Sequence, residues 1–122
     1  MVIKDMVIKD IFALGQYPER LEWKFFRPGV DIYRLYDEGP TGSSAALLKY
    51  APGATVPKHE HTGYEHIVVL SGTQRDHNGN YGAGTLVVNE PGTQHSIVSE
   101  SGCIVFIVWE KPVAMRADKT AT

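Results

Sequence analysis

The chain has 122 residues, 43% of them hydrophobic, and a formal net charge of −2. This length supports one domain with one core and is too short for two. No basic stripe stands out, so nucleic acid is not an expected partner. The longest apolar run, 103–109, is too short to cross a membrane, and the N-terminus lacks the apolar core of a signal peptide, so we expect a cytoplasmic protein. The single cysteine, Cys103, excludes an internal disulfide and a metal site made of cysteines alone.

The N-terminus contains the five residues MVIKD twice in succession, at 1–5 and 6–10. The repeat is far shorter than a solenoid unit. It fits a duplicated start, a cloning artefact or a real edge strand. A weak helical pattern follows at 11–20, and we expect residues 1–25 to form an N-terminal extension.

Glycine and proline interrupt the rest of the chain roughly every eight to twelve residues, which is typical of an all-β sandwich or barrel. The segments between them are rich in Val, Ile, Tyr and Phe. The predicted strands are 30–36, 45–50, 64–70, 85–89, 95–99 and 103–110. Asn78-Gly79 predicts a hairpin turn, and the polar segment after Pro112 is expected to fray. The sequence therefore predicts a barrel over 26–112 and a C-terminal tail over 113–122.

The last predicted strand is apolar on both faces, with Ile104 and Phe106 on one and Val105 and Ile107 on the other. Such a strand is covered on both sides, by a second sheet on one face and by a loop or another protein on the other. We predict a homodimer, while a central strand buried within a monomer accounts for the pattern equally well.

The segment KHEHTGYEHIVVLSG, at 58–72, concentrates histidine and glutamate. His59 and His61 are two residues apart, so in an extended segment both side chains leave the same face. Glu65 falls on the apolar face of its strand, where a carboxylate is costly unless it is paired or binds a metal. His95 begins a strand just after the turn at 91–94, which can swing it toward the first two histidines. These four residues are the candidate metal ligands.

Three neutral imidazoles and one carboxylate form a ligand set of borderline softness. The set suits one divalent ion, with zinc or iron first and Mn, Ni or Co as alternatives, and it disfavours Ca and Mg. An octahedral ion would keep two adjacent coordination positions open, whereas the four side chains could complete a tetrahedral zinc site. Two histidines two residues apart are also common on exposed strands, so that pair alone does not establish a metal site.

The other polar residues near this cluster have less specific roles. His66 has the opposite strand parity and His77 lies beside a turn, so neither is expected to be a ligand. Tyr81, Gln94 and Ser99 are candidates for the pocket or for contacts with the ligand residues. Packing within turns and strands is the alternative for Tyr81 and Gln94. No residue is identified as a dedicated catalytic base, although Glu65 could serve if a metal held it loosely.

The spacing of these residues resembles the two motifs of the cupins, β-barrel metalloproteins with a double-stranded β-helix, or jelly-roll, fold. The first motif is Gly, five residues, His-x-His, three or four residues, Glu, six residues, Gly, and it fits Gly53 to Gly72 at every position. The second is Gly, five residues, Pro-x-Gly, two residues, His, three residues, Asn. It fits Gly84 to Ser99, except that proline is shifted by one to Pro91 and serine replaces the final Asn. The resemblance implies metal ligation by His59, His61, Glu65 and His95.

Three segments, PGATVPKHEH, DHNGNYGAGTLVVNEPGTQH and SESGC, are similar to the ChrR-like cupins, over roughly residues 45–112. That subfamily includes the C-terminal domain of the zinc-binding anti-sigma factor ChrR and dihydroxyacetophenone-type dioxygenases. The anti-sigma factor carries a separate N-terminal helical zinc domain, with its own His and Cys ligands, that contacts sigma. The sequence before the barrel has neither His nor Cys. A sigma factor is therefore not expected as a partner.

Two functions remain open at this point. The first is a metal-dependent enzyme acting on an unidentified small molecule, by dioxygenase-type oxidation with iron or by Lewis-acid isomerase or hydrolase chemistry with zinc, manganese or nickel. The second is a non-catalytic zinc-binding sensor or regulatory domain. A barrel that binds no metal is a third alternative. Metal content separates them, because iron favours the enzyme and stoichiometric zinc leaves the sensor open.

Overall fold

The computed structural model describes residues 6–115 of the chain. It begins with a short helix, α1 (Ile11–Gln16), and a 3₁₀ turn at Pro18–Arg20. The strands that follow are β1 (Lys24–Arg27), β2 (Val30–Asp37), β3 (Ser44–Tyr50), β4 (Ala54–Glu60), β5 (Glu65–Asp76), β6 (Gly79–Gly82), β7 (Leu86–Asn89), β8 (Gln94–Ser99), β9 (Cys103–Trp109) and β10 (Ala114–Met115). None of the helices found between residues 6 and 115 has the length and hydropathy of a membrane span.

The strands confirm the all-β prediction. Every pairing is antiparallel, in the order β1-β2-β3-β9-β5-β8-β4-β10, with β6 and β7 also paired to β5. The helical pattern at 11–20 corresponds to α1 and the 3₁₀ turn. The first copy of MVIKD lies outside the described residues, and the second copy forms no strand. The boundaries at 25 and 112 stay predictions, although β10 pairs with β4 inside the segment expected as a tail.

The long strand β5 passes from one half of the barrel to the other. Its first half pairs with β7 and β9, and its second half pairs with β6 and β8. The change occurs at Gly72, which lies opposite Cys103 and has a φ of 74°. A Cβ atom at this position would overlap the carbonyl oxygen of Gly102. Only glycine therefore allows β5 to pass so close to the loop before β9.

The main core fills the space inside the barrel. Alternate residues of the strands point inward, as expected for a sheet with one face on a core. The buried members of this cluster are Val30, Ile32, Ala46, Leu48, Tyr50, Ala54, Ile67, Val69, Ile97, Cys103, Val105 and Ile107. Trp109 packs against one end of the cluster. The candidate ligands lie at that same end of β5 and β9.

The outer face of β9 is partly covered by the chain's own N-terminal segment. Leu47, Leu70 and Ile104 form a second buried cluster, against which Leu14 and Trp23 pack. The coverage of β9 at Ile104 thus comes from within one chain. This matches the monomer alternative for that strand, and the homodimer stays a prediction.

Candidate metal centre

Four buried side chains meet at one end of the barrel. His59 is on β4, His61 follows that strand, Glu65 begins β5 and His95 is on β8. Each offers one ligand atom, and these atoms lie within 4.8 Å of one another. Nitrogen and oxygen ligands bind one zinc ion at about 2.0–2.2 Å, so they lie within about 4.4 Å of each other. The cluster is close to that spread, and its residues therefore fit a single ion.

A β-bulge in β4 turns His59 into the barrel. Val56 pairs with Ile97 and His59 pairs with His95, so β4 spans three positions where β8 spans two. The extra residue reverses the normal alternation of side chains. Val56 and His59 consequently line the same interior cavity.

The turn at 91–94 is attached to His61 through the backbone. The His61 amide donates to the Thr93 carbonyl at 2.9 Å, and the Gly92 amide donates to the His61 carbonyl at 2.8 Å. The Thr93 amide closes the turn onto the Glu90 carbonyl at 3.2 Å. These bonds fix the start of β8, and with it His95, beside His61.

The Nδ1 atoms of His59 and His95 are both hydrogen-bonded. His59 Nδ1 donates to the Pro57 carbonyl at 2.9 Å, and His95 Nδ1 donates to Asp76 Oδ2 at 3.0 Å. A proton held on Nδ1 leaves the lone pair on Nε2 for a metal. Both rings are thus oriented with Nε2 available as a ligand.

His61 has the same tautomer, set through a hydroxyl group. The Thr93 hydroxyl donates to the Glu90 carbonyl at 2.6 Å, so it accepts from His61 Nδ1, 2.9 Å away. The Nε2 atoms of His61 and His95 are buried and form no hydrogen bond. They lie 3.2 and 3.9 Å from Glu65 Oε1. A buried, unsatisfied polar atom costs about 1–3 kcal/mol, and a metal ion would satisfy both nitrogens.

Two cross-strand neighbours hold the Glu65 carboxylate. Asn89 on β7 and Trp109 on β9 both lie opposite Glu65. Asn89 Nδ2 donates to Oε1 at 3.0 Å, and Trp109 Nε1 donates to Oε2 at 2.9 Å. Burial acts to raise the pKa of Glu65, but the three histidines, His61 foremost, bring it below its ordinary value once they are protonated at low pH. An oriented carboxylate anion therefore faces the imidazoles.

Burial sets the charge state of two of the histidines. It lowers the pKa of His59, against the opposing effect of the Pro57 carbonyl. It also lowers the pKa of His95, against the opposing effect of Asp76. Both rings are therefore neutral near pH 7, which is the form that ligates metals.

The metal-free chain is expected to lose stability as the pH falls below about 6.5. His59 and His95 have folded pKa values below the unfolded value, so the unfolded chain takes up protons first and the native state is disfavoured. Each group can remove up to about 1.4 kcal/mol per pH unit until its folded pKa is reached. Urea unfolding of the metal-stripped chain at about pH 7.5 and about pH 5.5 measures this. The same free energy of unfolding at both values would show that these rings are not buried and neutral.

A small cavity of about 70 Å³ opens beside the cluster and includes His59, Glu65 and His95 in its walls. The other walls are mainly apolar. They include Leu48, Val56, Ile67, Ile97, Ile107, Trp109, Val113 and Met115. Apolar walls limit water and strengthen electrostatic interactions at the cluster.

None of the three additional residues singled out in the sequence lines this cavity. The Tyr81 hydroxyl donates to Asp76 Oδ1 at 2.9 Å, so Tyr81 acts on His95 only through Asp76. Ser99 is fully buried and donates to a backbone carbonyl of β5 at 2.6 Å. Gln94 is half-buried and precedes His95 on β8. Their roles as pocket residues stay predictions.

Four other residues whose side chains contact the cluster were not singled out in the sequence. They are Asp76, Asn89, Thr93 and Trp109. Asn89 and Trp109 lie opposite Glu65, so the strand register is the signal that would have identified them. Burial acts to raise the pKa of Asp76, but hydrogen bonds from the Asn78 amide, His95 and Tyr81 bring it below its ordinary value.

The variant Asp76→Asn is expected to lower zinc affinity about 10- to 100-fold. The amide keeps the size of the side chain but loses the charge that holds the proton on His95 Nδ1. Chelator competition with zinc measures the dissociation constant. Tyr81→Phe is the matched control, because it removes only the hydrogen bond that the Tyr81 hydroxyl donates to Asp76 Oδ1, and we expect a change within about threefold. An Asp76→Asn affinity equal to that of Tyr81→Phe would contradict this role.

Comparison with known proteins identifies the family. Residues 14–113 match the family model of the ChrR cupin-like domain. The anti-sigma-E factor ChrR of Cereibacter sphaeroides is 34% identical over 108 residues, which cover 85% of this chain and 49% of that protein. The chain therefore spans about half the length of this curated relative.

Solved structures share the fold. In the crystal structure of Rhodobacter sphaeroides SigE in complex with the anti-sigma ChrR, the match has 31% identity and a TM-score of 0.65, and covers 75% of this chain and 49% of that one. An acetylacetone dioxygenase from Acinetobacter johnsonii matches with 14% identity and a TM-score of 0.72, over 93% of this chain and 77% of that one. At this identity the second match shows the fold alone. The cupin fold expected from the two motifs is confirmed.

The expectation that a sigma factor is not a partner is wrong. It rested on the absence of His and Cys before the barrel. A related ChrR has been solved in complex with SigE. The lack of His and Cys concerns only the short stretch before the barrel. It gives no information about the surface of the barrel, which could contact a partner. On the match over residues 14–113 and the identity to ChrR, the chain belongs to the ChrR cupin-like domain family.

Proposed function

We propose that this chain is a metal-binding regulatory domain, in which His59, His61, Glu65 and His95 hold one divalent ion. The observation that carries the proposal is the buried four-residue cluster within the segment that matches the ChrR cupin-like family. A regulatory role follows the likeness to an anti-sigma factor over 85% of the chain.

The ligand chemistry favours zinc or iron, with manganese, nickel and cobalt as alternatives. Two unsatisfied Nε2 atoms and a fixed carboxylate face a common centre. When bound, the ion would supply a Lewis-acid centre and, if it is iron, a redox centre. The residues of the chain supply the rest: hydrogen bonds that hold each ring, a carboxylate that offsets charge, and apolar walls that restrict water.

The contacts that hold the Glu65 carboxylate favour a regulatory rather than a catalytic role for the site. Both carboxylate oxygens accept hydrogen bonds, from Asn89 and Trp109, and Oε1 lies 3.2 Å from His61 Nε2. A carboxylate held in this way as a metal ligand is not free to accept a substrate proton, and Glu65 is the only carboxylate among the described residues that line the cavity. A rigid centre without a free base suits a site that binds a metal ion and has a regulatory function.

A sigma factor is the first partner to test, because the related ChrR is solved with SigE. We expect the zinc-loaded chain and the metal-stripped chain to differ at least about tenfold in affinity for a SigE-type sigma factor, measured by calorimetry. His66→Ala, on the exposed side of β5, is the control that leaves the centre intact. Identical sigma binding with and without metal, or none in either state, would exclude regulation of sigma through this centre.

A metal-dependent small-molecule enzyme is the second candidate. The cavity beside the cluster favours it, because His59, Glu65 and His95 line a space that a small substrate could enter. Dioxygenase-type oxidation, isomerisation and hydrolysis are the reactions to assay, with the iron-loaded and the zinc-loaded chain. Multiple turnovers by the loaded chain, abolished in His95→Ala, would replace the regulatory proposal with this one.

A homodimer is a further feature of the proposal. It follows from the apolar outer face of β9, of which Phe106 and Val108 remain half-exposed. Sedimentation equilibrium of the metal-loaded chain measures the oligomeric state.

A further inference from the structure

We propose that the cavity beside the metal centre binds the carboxylate of a small organic acid with an apolar tail, and that Arg27 recognises that carboxylate. The inference rests on the proposed function, since it identifies the ligand class to which the metal centre would respond. It concerns a residue at the end of β1, outside both cupin motifs.

Arg27 is half-buried, and the buried part of its guanidinium has no polar partner among the described residues. Its side chain lines the cavity together with His59, Glu65 and His95. Its Nε atom is buried and forms no hydrogen bond. Arg27 also forms no ion pair with any residue between 6 and 115. An acceptor placed in the cavity would satisfy it, and a carboxylate matches the fork of a guanidinium through two parallel hydrogen bonds.

The charge around the cavity favours an anion. Glu65 is the only carboxylate among the described residues of its walls, and its oxygens accept hydrogen bonds from Asn89 and Trp109. Three neutral imidazoles, Glu65 and a divalent ion carry a net charge of about +1, and Asp76, which accepts a hydrogen bond from His95, brings the centre to about zero. Arg27 adds one positive charge, which no further acidic side chain among the described walls offsets. A monoanion entering the cavity would be attracted to this charge.

The size and polarity of the cavity select a carboxylate rather than a phosphate. The cavity measures about 70 Å³ and its walls are largely apolar. A strongly hydrated phosphate would lose most of its solvation there, whereas a carboxylate head group is smaller and carries less charge. The cavity therefore suits the head group of an organic acid.

An outer groove provides space for the rest of the ligand. Phe26, Trp109 and Val113 line both the cavity and a neighbouring groove of about 450 Å³. The rings of Phe26 and Trp109 lie 6.3 Å apart. These shared walls favour an apolar or aromatic tail that extends from the head group toward solvent.

Phenylacetate and its neutral analogue phenylacetamide test the proposal on the zinc-loaded chain. We expect phenylacetate to bind at least about tenfold more tightly than phenylacetamide, measured by calorimetry. Arg27→Met is expected to weaken phenylacetate binding at least about tenfold with unchanged zinc content. Arg20→Met is the matched control, because Arg20 is exposed on the 3₁₀ turn and stacks over Tyr17. The Arg20→Met variant should bind phenylacetate as tightly as the unmodified chain does.

Equal binding of the acid and the amide would overturn the proposal, as would no binding of phenylacetate up to about 10 mM. Unchanged binding in Arg27→Met would also overturn it. If Arg27→Met does not fold, the comparison of phenylacetate with phenylacetamide on the unmodified chain is by itself the test of the proposal. Zinc content measured on the same samples keeps the two proposals apart. A chain that holds zinc but ignores phenylacetate contradicts only the carboxylate site, whereas a chain that holds no zinc contradicts the metal centre.

Discussion

Replacing His95 with alanine is expected to lower the zinc affinity of the chain by about 100-fold or more. The change removes one of four candidate ligands, whose ligand atoms lie within 4.8 Å of one another. It also leaves Asp76 without the imidazole that donates to its Oδ2 atom. Competition with a chelator of known affinity measures the dissociation constant, and circular dichroism on the same samples checks that the variant is folded.

The control for this experiment is His66→Ala. His66 is adjacent to Glu65 in sequence, but its side chain is exposed on the other face of β5, where its ring stacks on Tyr64. Strand alternation separates the two neighbours, so the control should bind zinc as the unmodified chain does. Equal zinc affinities in His95→Ala and His66→Ala would rule out His95 as a ligand.

Gly72→Ala is expected to lower the free energy of unfolding by more than about 4 kcal/mol, which is a large share of the stability of a domain this size. The residue has a φ of 74°, where an L side chain is strained. Its Cβ would also overlap the Gly102 carbonyl oxygen and lie 2.8 Å from Cys103 Cα. Both contacts are with backbone, so relief requires β5 and β9 to separate. Denaturant unfolding, or the soluble yield if the variant does not fold, measures the effect.

Gly84→Ala separates the two causes of that loss. Gly84 has a φ of 90°, but nothing lies within 4 Å of a Cβ built there. Its substitution therefore carries only the conformational strain, about 1 kcal/mol. A Gly72→Ala variant no less stable than Gly84→Ala would mean that β5 and β9 are not in close contact at this point.

Periodicity in the sequence identifies the strands that have one consistently apolar face. The first half of β5 and β8 alternate regularly, whereas β9 is apolar on both faces. The predicted positions of all three lie within a few residues of the observed ones, apart from the longer C-terminal half of β5. The same alternation places Glu65 inward and His66 outward, as the structure has them. Strand alternation is reliable at Glu65 and His66 because β5 has no bulge in this part.

β4 was not predicted as a strand, because it contains Pro57 and has little apolar alternation. The bulge between Val56 and His59 breaks the alternation of side chains in the strand that carries the candidate ligand His59. Spacing within the cupin motif identified His59 even so, since the motif specifies positions along the chain and does not depend on register.

The contacts between strands that are distant in sequence could not be predicted from the sequence. The hydrogen bonds from Asn89 and Trp109 to Glu65 depend on the pairing of β5 with β7 and β9. Asp76 reaches His95 because β5 crosses to the other half of the barrel at Gly72. Register is set by the whole fold, and local patterns contain little information about it.

Elemental analysis of the chain, purified without added metal, measures whether the four-residue cluster is a metal centre. We expect close to one equivalent of zinc or iron per chain, and about the same after dialysis against a weak chelator. Less than about 0.1 equivalent, even after incubation with zinc, iron and manganese salts, would contradict the centre and with it the proposed function.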